Sequence, residues 1–128
     1  MVKALTKGIE ISVETFYLAA QSRPGDNHFF FVYEITIENK NDFSIQLLRR
    51  HWDIFDSSGE YRVVDGEGVV GETPIIEPGE KFTYNSGCNL TTEIGRMSGT
   101  YIFNRLIDNR EFLAHIPTFN LITPGKLN

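Results

Sequence analysis

Three glycines, Gly66, Gly68 and Gly71, spell GxGxxG inside VDGEGVVGETP, and theirs is the first spacing in the chain that could do chemistry. A fingerprint of this kind holds a pyrophosphate when a strand enters the glycine turn and a helix leaves it, because the first amides of the helix then point at the anion. Here Glu72, Thr73 and Pro74 follow, then Ile75, Ile76, Glu77, Pro78 and Gly79, which leaves no room for a helix. Glu67 and Glu72 also put negative charge beside the amides that an anion would need. The segment therefore reads first as a wide glycine-built connection between strands. Nucleotide or pyrophosphate binding by exposed amides of Gly66, Gly68 and Gly71 is the alternative. A third reading takes Asp65, Glu67 and Glu72 as hard oxygen ligands for Mg²⁺ or Co²⁺.

The remaining reactive side chains do not converge. His28, His51 and His115 fall on three different predicted strands, with no pair at metal-ligand spacing, so no metal site is assigned to them. Cys88 closes the run Ser86-Gly87-Cys88, yet no base or cationic pocket can be named for it, and it reads as a partly buried structural thiol. The carboxylates are scattered over strands and turns. These observations predict a protein with no catalytic residues and no cofactor.

The elements that must position these residues are strands. Ile9, Ile11 and Val13 alternate with Glu10, Ser12 and Glu14, the two-residue period of a sheet with one buried face. Residues 19–27, with Pro24, Gly25, Asp26 and Asn27, make a loop. In the strand over 28–39, Phe29, Phe31, Tyr33, Ile35 and Ile37 share a face. Phe30 and Val32 make its other face apolar too, so it is either covered locally by the segment around Tyr17 and Leu18 or open to a partner.

A strand over 45–56 follows, whose parity groups Leu48, Arg50, Trp52 and Ile54 against Leu47, Arg49, His51, Asp53 and Phe55. Trp52 is the expected core anchor. Arg50 on its face then needs a carboxylate, a stacking contact or a bulge that re-aims it, because an unpaired buried charge is costly. Ser57-Ser58-Gly59 turns into a strand at 61–64, and Pro78-Gly79 presets a type II turn into a strand at 81–87. A last hairpin joins 95–104 to 111–116, and 119–122 adds a short edge strand. Seven or eight short strands with no sustained helical period predict an all-β immunoglobulin- or fibronectin type III-like sandwich.

A length of 128 residues suits one domain over 1–128, with its core at about 8–122. A net charge of −5 argues against a nucleic-acid surface. No apolar run is long enough to span a bilayer. The lone cysteine and the absence of a signal-peptide pattern favour the cytoplasm.

Taken together, LLRRHWDIFDSSGE, VDGEGVVGETPIIEPGEKFTYNSGCNL and MSGTYIF resemble the ApaG family, over about Gly8 to Leu121. Arg50, His51, Trp52, Pro78, Gly79 and Cys88 fall on its structural signature. Arg49, where serine is usual, and the tail PTFNL depart from it. The resemblance implies a fibronectin type III-like sandwich in a bacterial, cytoplasmic protein of unsettled activity. It also implies an association with cobalt and magnesium efflux or resistance, and a gene beside a diadenosine tetraphosphate hydrolase. Similar domains in eukaryotic F-box and polymerase-interacting proteins look like protein-binding modules, and GEGVVG has been read in the family as a pyrophosphate loop. A soluble sandwich cannot itself move ions across a membrane, so the efflux link would be indirect. The leading expectation is a non-enzymatic interaction module that takes a protein partner, or a second copy of itself, at a sheet edge or on the patch at Phe30 and Val32.

Overall fold

The computed structural model describes residues 1–125, so the last three positions of the domain expected over 1–128 lie outside them. Nine strands are present among the described residues: β1 (Val2–Thr6), β2 (Ile9–Tyr17), β3 (Phe29–Asn39), β4 (Ile45–Asp56), β5 (Tyr61–Glu67), β6 (Ile75–Ile76), β7 (Lys81–Leu90), β8 (Ile94–Arg105) and β9 (Arg110–Ile122). One sheet has the order β1-β2-β3-β7 and the other β5-β4-β8-β9, with β6 pairing β4 beyond the end of β5. Every pairing is antiparallel. This is the expected β-sandwich.

Alternation sets the layers. Ile9, Ile11 and Val13 of β2 and Phe29, Phe31, Tyr33, Ile35 and Ile37 of β3 all turn inward, and Trp52, Tyr101, Phe103 and Phe119 meet them from the opposite sheet. The sandwich is shut on one side, where β1 and β9 lie together and Thr6 Oγ1 accepts the His115 amide at 3.4 Å. On the other side the edges β5 and β7 stand apart, with a cleft between them.

Three departures from the sequence reading have local causes. A bulge between Leu47 and Arg49 shifts the pairing of β4 with β8, so Ile45 and Leu47 point inward before it and Trp52 and Ile54 after it. A single parity along 45–56 placed Leu47 on the outer face, and the extra residue corrects that. The predicted strands at 111–116 and 119–122 are one strand, β9, whose register against β8 shifts between Met97 and Gly99, opposite Pro117. Proline has no ladder donor and is tolerated at such an irregularity. The strand β1 was not separated from β2, because VKALT is largely exposed and shows little alternation.

The 19–27 loop contains two short 3₁₀ turns, Ala19–Gln21 and Pro24–Asp26. No helix among the described residues is long and apolar enough to cross a membrane. The Pro78-Gly79 turn forms as predicted: Glu80 N–H donates to Glu77 O at 3.0 Å and Gly79 has φ +79°.

Candidate functional site

The glycine segment is an excursion from the edge of the second sheet. β5 pairs β4 up to Glu67, β6 resumes the pairing at Ile75, and residues 68–74 project between them. Within the excursion Val69 and Glu72 exchange both backbone hydrogen bonds, at 2.8 and 2.9 Å, making a two-residue hairpin with Val70 and Gly71 at its tip. The Gly68 amide donates to Leu48 O at 2.8 Å. The amides of Gly68, Val69 and Glu72 are therefore all spent on carbonyls of the chain itself.

Arg50 fastens this excursion from beneath. Its Nη1 donates to the carbonyls of Glu67 at 3.0 Å and Gly68 at 2.9 Å. Its guanidinium lies flat on Gly66, where an added Cβ would come to 2.8 Å from three of its atoms. Gly68, at φ +62°, would drive a Cβ into the Glu72 carbonyl, far inside van der Waals contact. Of the carboxylate, stacking contact or bulge expected for Arg50, the bulge is present just before it, between Leu47 and Arg49, and backbone carbonyls stand where a carboxylate would.

At the hairpin tip Val70 has φ +43° and is 56% exposed. Left-handed backbone is unfavourable for a β-branched residue, so the hairpin tip carries backbone strain as well as an apolar side chain exposed to water. Nothing in its sequence context announces this. Four other exposed apolar residues lie on the strands that flank the excursion: Tyr61, Val63 and Val64 on β5 and Ile75 on β6.

Below the hairpin lies the cleft between β5 and β7, a cavity of about 240 Å³. Tyr33, Arg50, Arg62, Ser86, Cys88 and Asn89 line it, over a floor that includes Trp52 and Met97. Arg62 reaches across from β5: its Nη2 donates to Asn89 O at 2.5 Å and lies 3.7 Å from Cys88 Sγ. Burial pushes the Cys88 thiol up, against the smaller opposing effect of Arg62, so the thiol form is favoured. Burial likewise raises Tyr33, whose hydroxyl bonds Ser86.

His51 sits on the opposite face of β4, with Nδ1 2.7 Å from Asp65 Oδ1 and Nε2 3.3 Å from Asp53 Oδ1. Asp53 also accepts from the Tyr61 hydroxyl at 2.5 Å. Both ring nitrogens face acceptors, an arrangement that only the imidazolium satisfies fully. The hydrogen bond to Asp65 is the main cause that raises the His51 pKa. Its pairing therefore stabilises the fold fully below about pH 6.5, where the free imidazole is also protonated, and that contribution fades as pH climbs through the folded-state value. In urea titrations the advantage of the wild type over His51→Gln is expected to be largest near pH 5.5 and to shrink steadily towards pH 8.5. A pH-independent difference would contradict this.

Of the other sequence candidates, Phe30 and Val32 are half-buried. The Phe30 ring overlies Gly87, and Val32 stands between Phe16 and Gly87 in the sheet register. Phe16, 46% exposed, belongs to this patch and was not singled out from the sequence. Asp65 is engaged by His51. His28 bonds Asn89 at 3.1 Å. Among the described residues no group of three or more His, Cys, Asp or Glu side chains is placed to hold a metal ion.

Comparison with known proteins places this arrangement. The ApaG domain model matches residues 19–105. Protein ApaG of Brucella canis is 44% identical over 126 residues, covering 98% of this chain and 96% of that protein. Protein ApaG of Methylorubrum extorquens strain PA1 is 44% identical over 124 residues, covering 97% and 95%. The crystal structure of the putative ApaA protein from Bordetella pertussis superposes with a TM-score of 0.88 at 37% identity, covering 92% of this chain and 95% of that one. The sandwich that carries the glycine segment and the Arg50 clamp superposes on that structure over nearly its whole length, and the chain belongs to the ApaG family.

Proposed function

We propose that the protein is a non-catalytic interaction module that takes an extended segment of a partner protein along the free edge of β5. The observation that carries this reading is the exposed apolar series on one edge segment: Tyr61, Val63, Val64, Val70 and Ile75. An edge strand presents unpaired N–H and C=O groups, and sheets usually blunt such edges with lysine, proline or a covering segment. Residues 61–64, YRVV, contain no lysine or proline. The one charge among them, Arg62, folds across the cleft toward β7. Backbone pairing would supply affinity, and alternate side chains along β5 would supply selectivity. Phe16, Phe30 and Val32 offer a second, smaller surface on the other sheet. Any link with cobalt or magnesium resistance would run through the partner and so be indirect.

Affinity capture from a bacterial lysate, run in parallel with sedimentation of the purified chain, tests the reading. A stoichiometric partner, or a concentration-dependent dimer, that is lost with Val63→Lys at unchanged melting temperature is the expected result. Neither partner nor self-association, or retention of either by Val63→Lys, would overturn it. A second variant exploits the strained tip. Asparagine tolerates left-handed backbone far better than valine, so Val70→Asn is expected to raise unfolding stability by about 1 kcal/mol. The same change removes an apolar contact and should weaken capture, so stability and binding move in opposite directions.

A further inference from the structure

We infer that the cleft between β5 and β7 is a binding site for a small oxyanion, a phosphate monoester carried on a flat apolar group, gripped by the guanidiniums of Arg50 and Arg62. The inference stands apart from partner binding on the edge of β5. It also uses side-chain charges in place of the glycine amides.

Charge balance is the first support. The chain carries 17 Asp and Glu against 12 Lys and Arg. Two of its arginines nonetheless converge on one cavity with no carboxylate in its lining. Among the described residues neither Arg50 nor Arg62 has a carboxylate within ion-pair distance. Both are held by backbone carbonyls, which fix a guanidinium in place and leave its net charge intact. Two guanidiniums lining one cleft leave it with net positive charge, which a bound anion would balance.

Donor inventory is the second. Arg50 spends Nη1 on the hairpin carbonyls, and Arg62 spends Nη2 on Asn89 O and Cys88. A guanidinium has five N–H donors, so Nε and the second amino nitrogen of each remain for a ligand. Tyr33 and Ser86, hydrogen-bonded to each other, leave one hydroxyl proton free as a further donor on the facing wall. A site made of forked cationic donors and hydroxyls matches the geometry of phosphate oxygens. Val64, with Ile54, Trp52 and Met97 packed behind it, gives a ring attached to that phosphate an apolar seat. At about 240 Å³ the cavity suits a small ligand and no more than one end of a larger one.

The test is titration of the isotope-labelled full chain at low salt with phenyl phosphate, followed through backbone amides and arginine Nε–H signals. Inorganic pyrophosphate, benzoate and phenol serve as parallel probes. The Nε–H signals of Arg50 and Arg62 and the amides of 86–89 should shift with phenyl phosphate, more weakly with pyrophosphate or benzoate, and not with phenol. Arg62→Met, at an exposed position and of similar length, should weaken phenyl phosphate roughly tenfold, with Arg62→Lys in between, since a single charge keeps attraction but loses the fork. Equal shifts with phenol, shifts confined to 69–72, an Arg62→Met affinity within about twofold of wild type, or no movement at roughly 10 mM phenyl phosphate would each overturn the inference.

Discussion

Replacing Trp52 with alanine is expected to lower the free energy of unfolding by about 3–5 kcal/mol, a fifth or more of the roughly 5–15 kcal/mol that holds a typical domain. The side chain is 2% exposed and packs against three other aromatic rings. Its centroid lies 5.3 Å from Tyr33, 6.4 Å from Tyr101 and 5.8 Å from Phe119, with edge-to-face geometry at each. Tyr33 belongs to one sheet and Tyr101 and Phe119 to the other, so the indole is a joint between the layers. Truncation would remove the buried area and leave a cavity that two hydrogen-bonded sheets cannot easily collapse to fill. The urea midpoint should fall with little change in slope, read by circular dichroism because the variant has no tryptophan to report fluorescence. Trp52→Phe should recover more than half of the loss. A cost below about 1.5 kcal/mol would mean that the sheets close over the site and that the joint lies elsewhere.

That Trp52 would be such an anchor was legible because large apolar residues in a strand have few places to go. The two-residue period likewise placed β2, β3, β7 and most of β8, since each runs through several alternations without interruption. Legibility failed where one residue breaks the count. The bulge at Leu47–Arg49 reverses the meaning of odd and even within β4, and no local residue type marks it. Arg50 shows the other limit. Its chemistry demanded a partner, but the carbonyls of Glu67 and Gly68 lie 17 and 18 residues away, and backbone groups are common to every residue. The cleft is less visible still. Arg50, Arg62 and Cys88 come from three strands in two sheets, and only the topology brings them together. The strained Val70 is hidden for a different reason: Val-Gly is not a pair that composition would assign to a tight hairpin tip.

Gly68→Ala is expected to cost about 3 kcal/mol or more, while Gly71→Ala, three residues further along the same motif, should cost about 1 kcal/mol. Both glycines have positive φ, +62° and +80°, so both substitutions carry the penalty of left-handed backbone. Only at Gly68 does the new Cβ meet backbone, at the Glu72 carbonyl that closes the hairpin, whereas at Gly71 it meets open space. Backbone cannot step aside as a flexible side chain can. Relief at Gly68 would require breaking the Val69–Glu72 pair or releasing Gly68 from Leu48 and Arg50. Gly66→Ala should fall between them, because its obstacle is the Arg50 guanidinium, a side-chain terminus that can move if it gives up its carbonyls. The order Gly68, then Gly66, then Gly71 is set by what each glycine touches within the fold and can be measured by denaturation with no ligand added. Equal, small losses at all three would show that the motif's glycines are dispensable to the scaffold. The graded series would instead tie the first two to the Arg50 clamp and leave Gly71 answering only to the turn it shares with Val70.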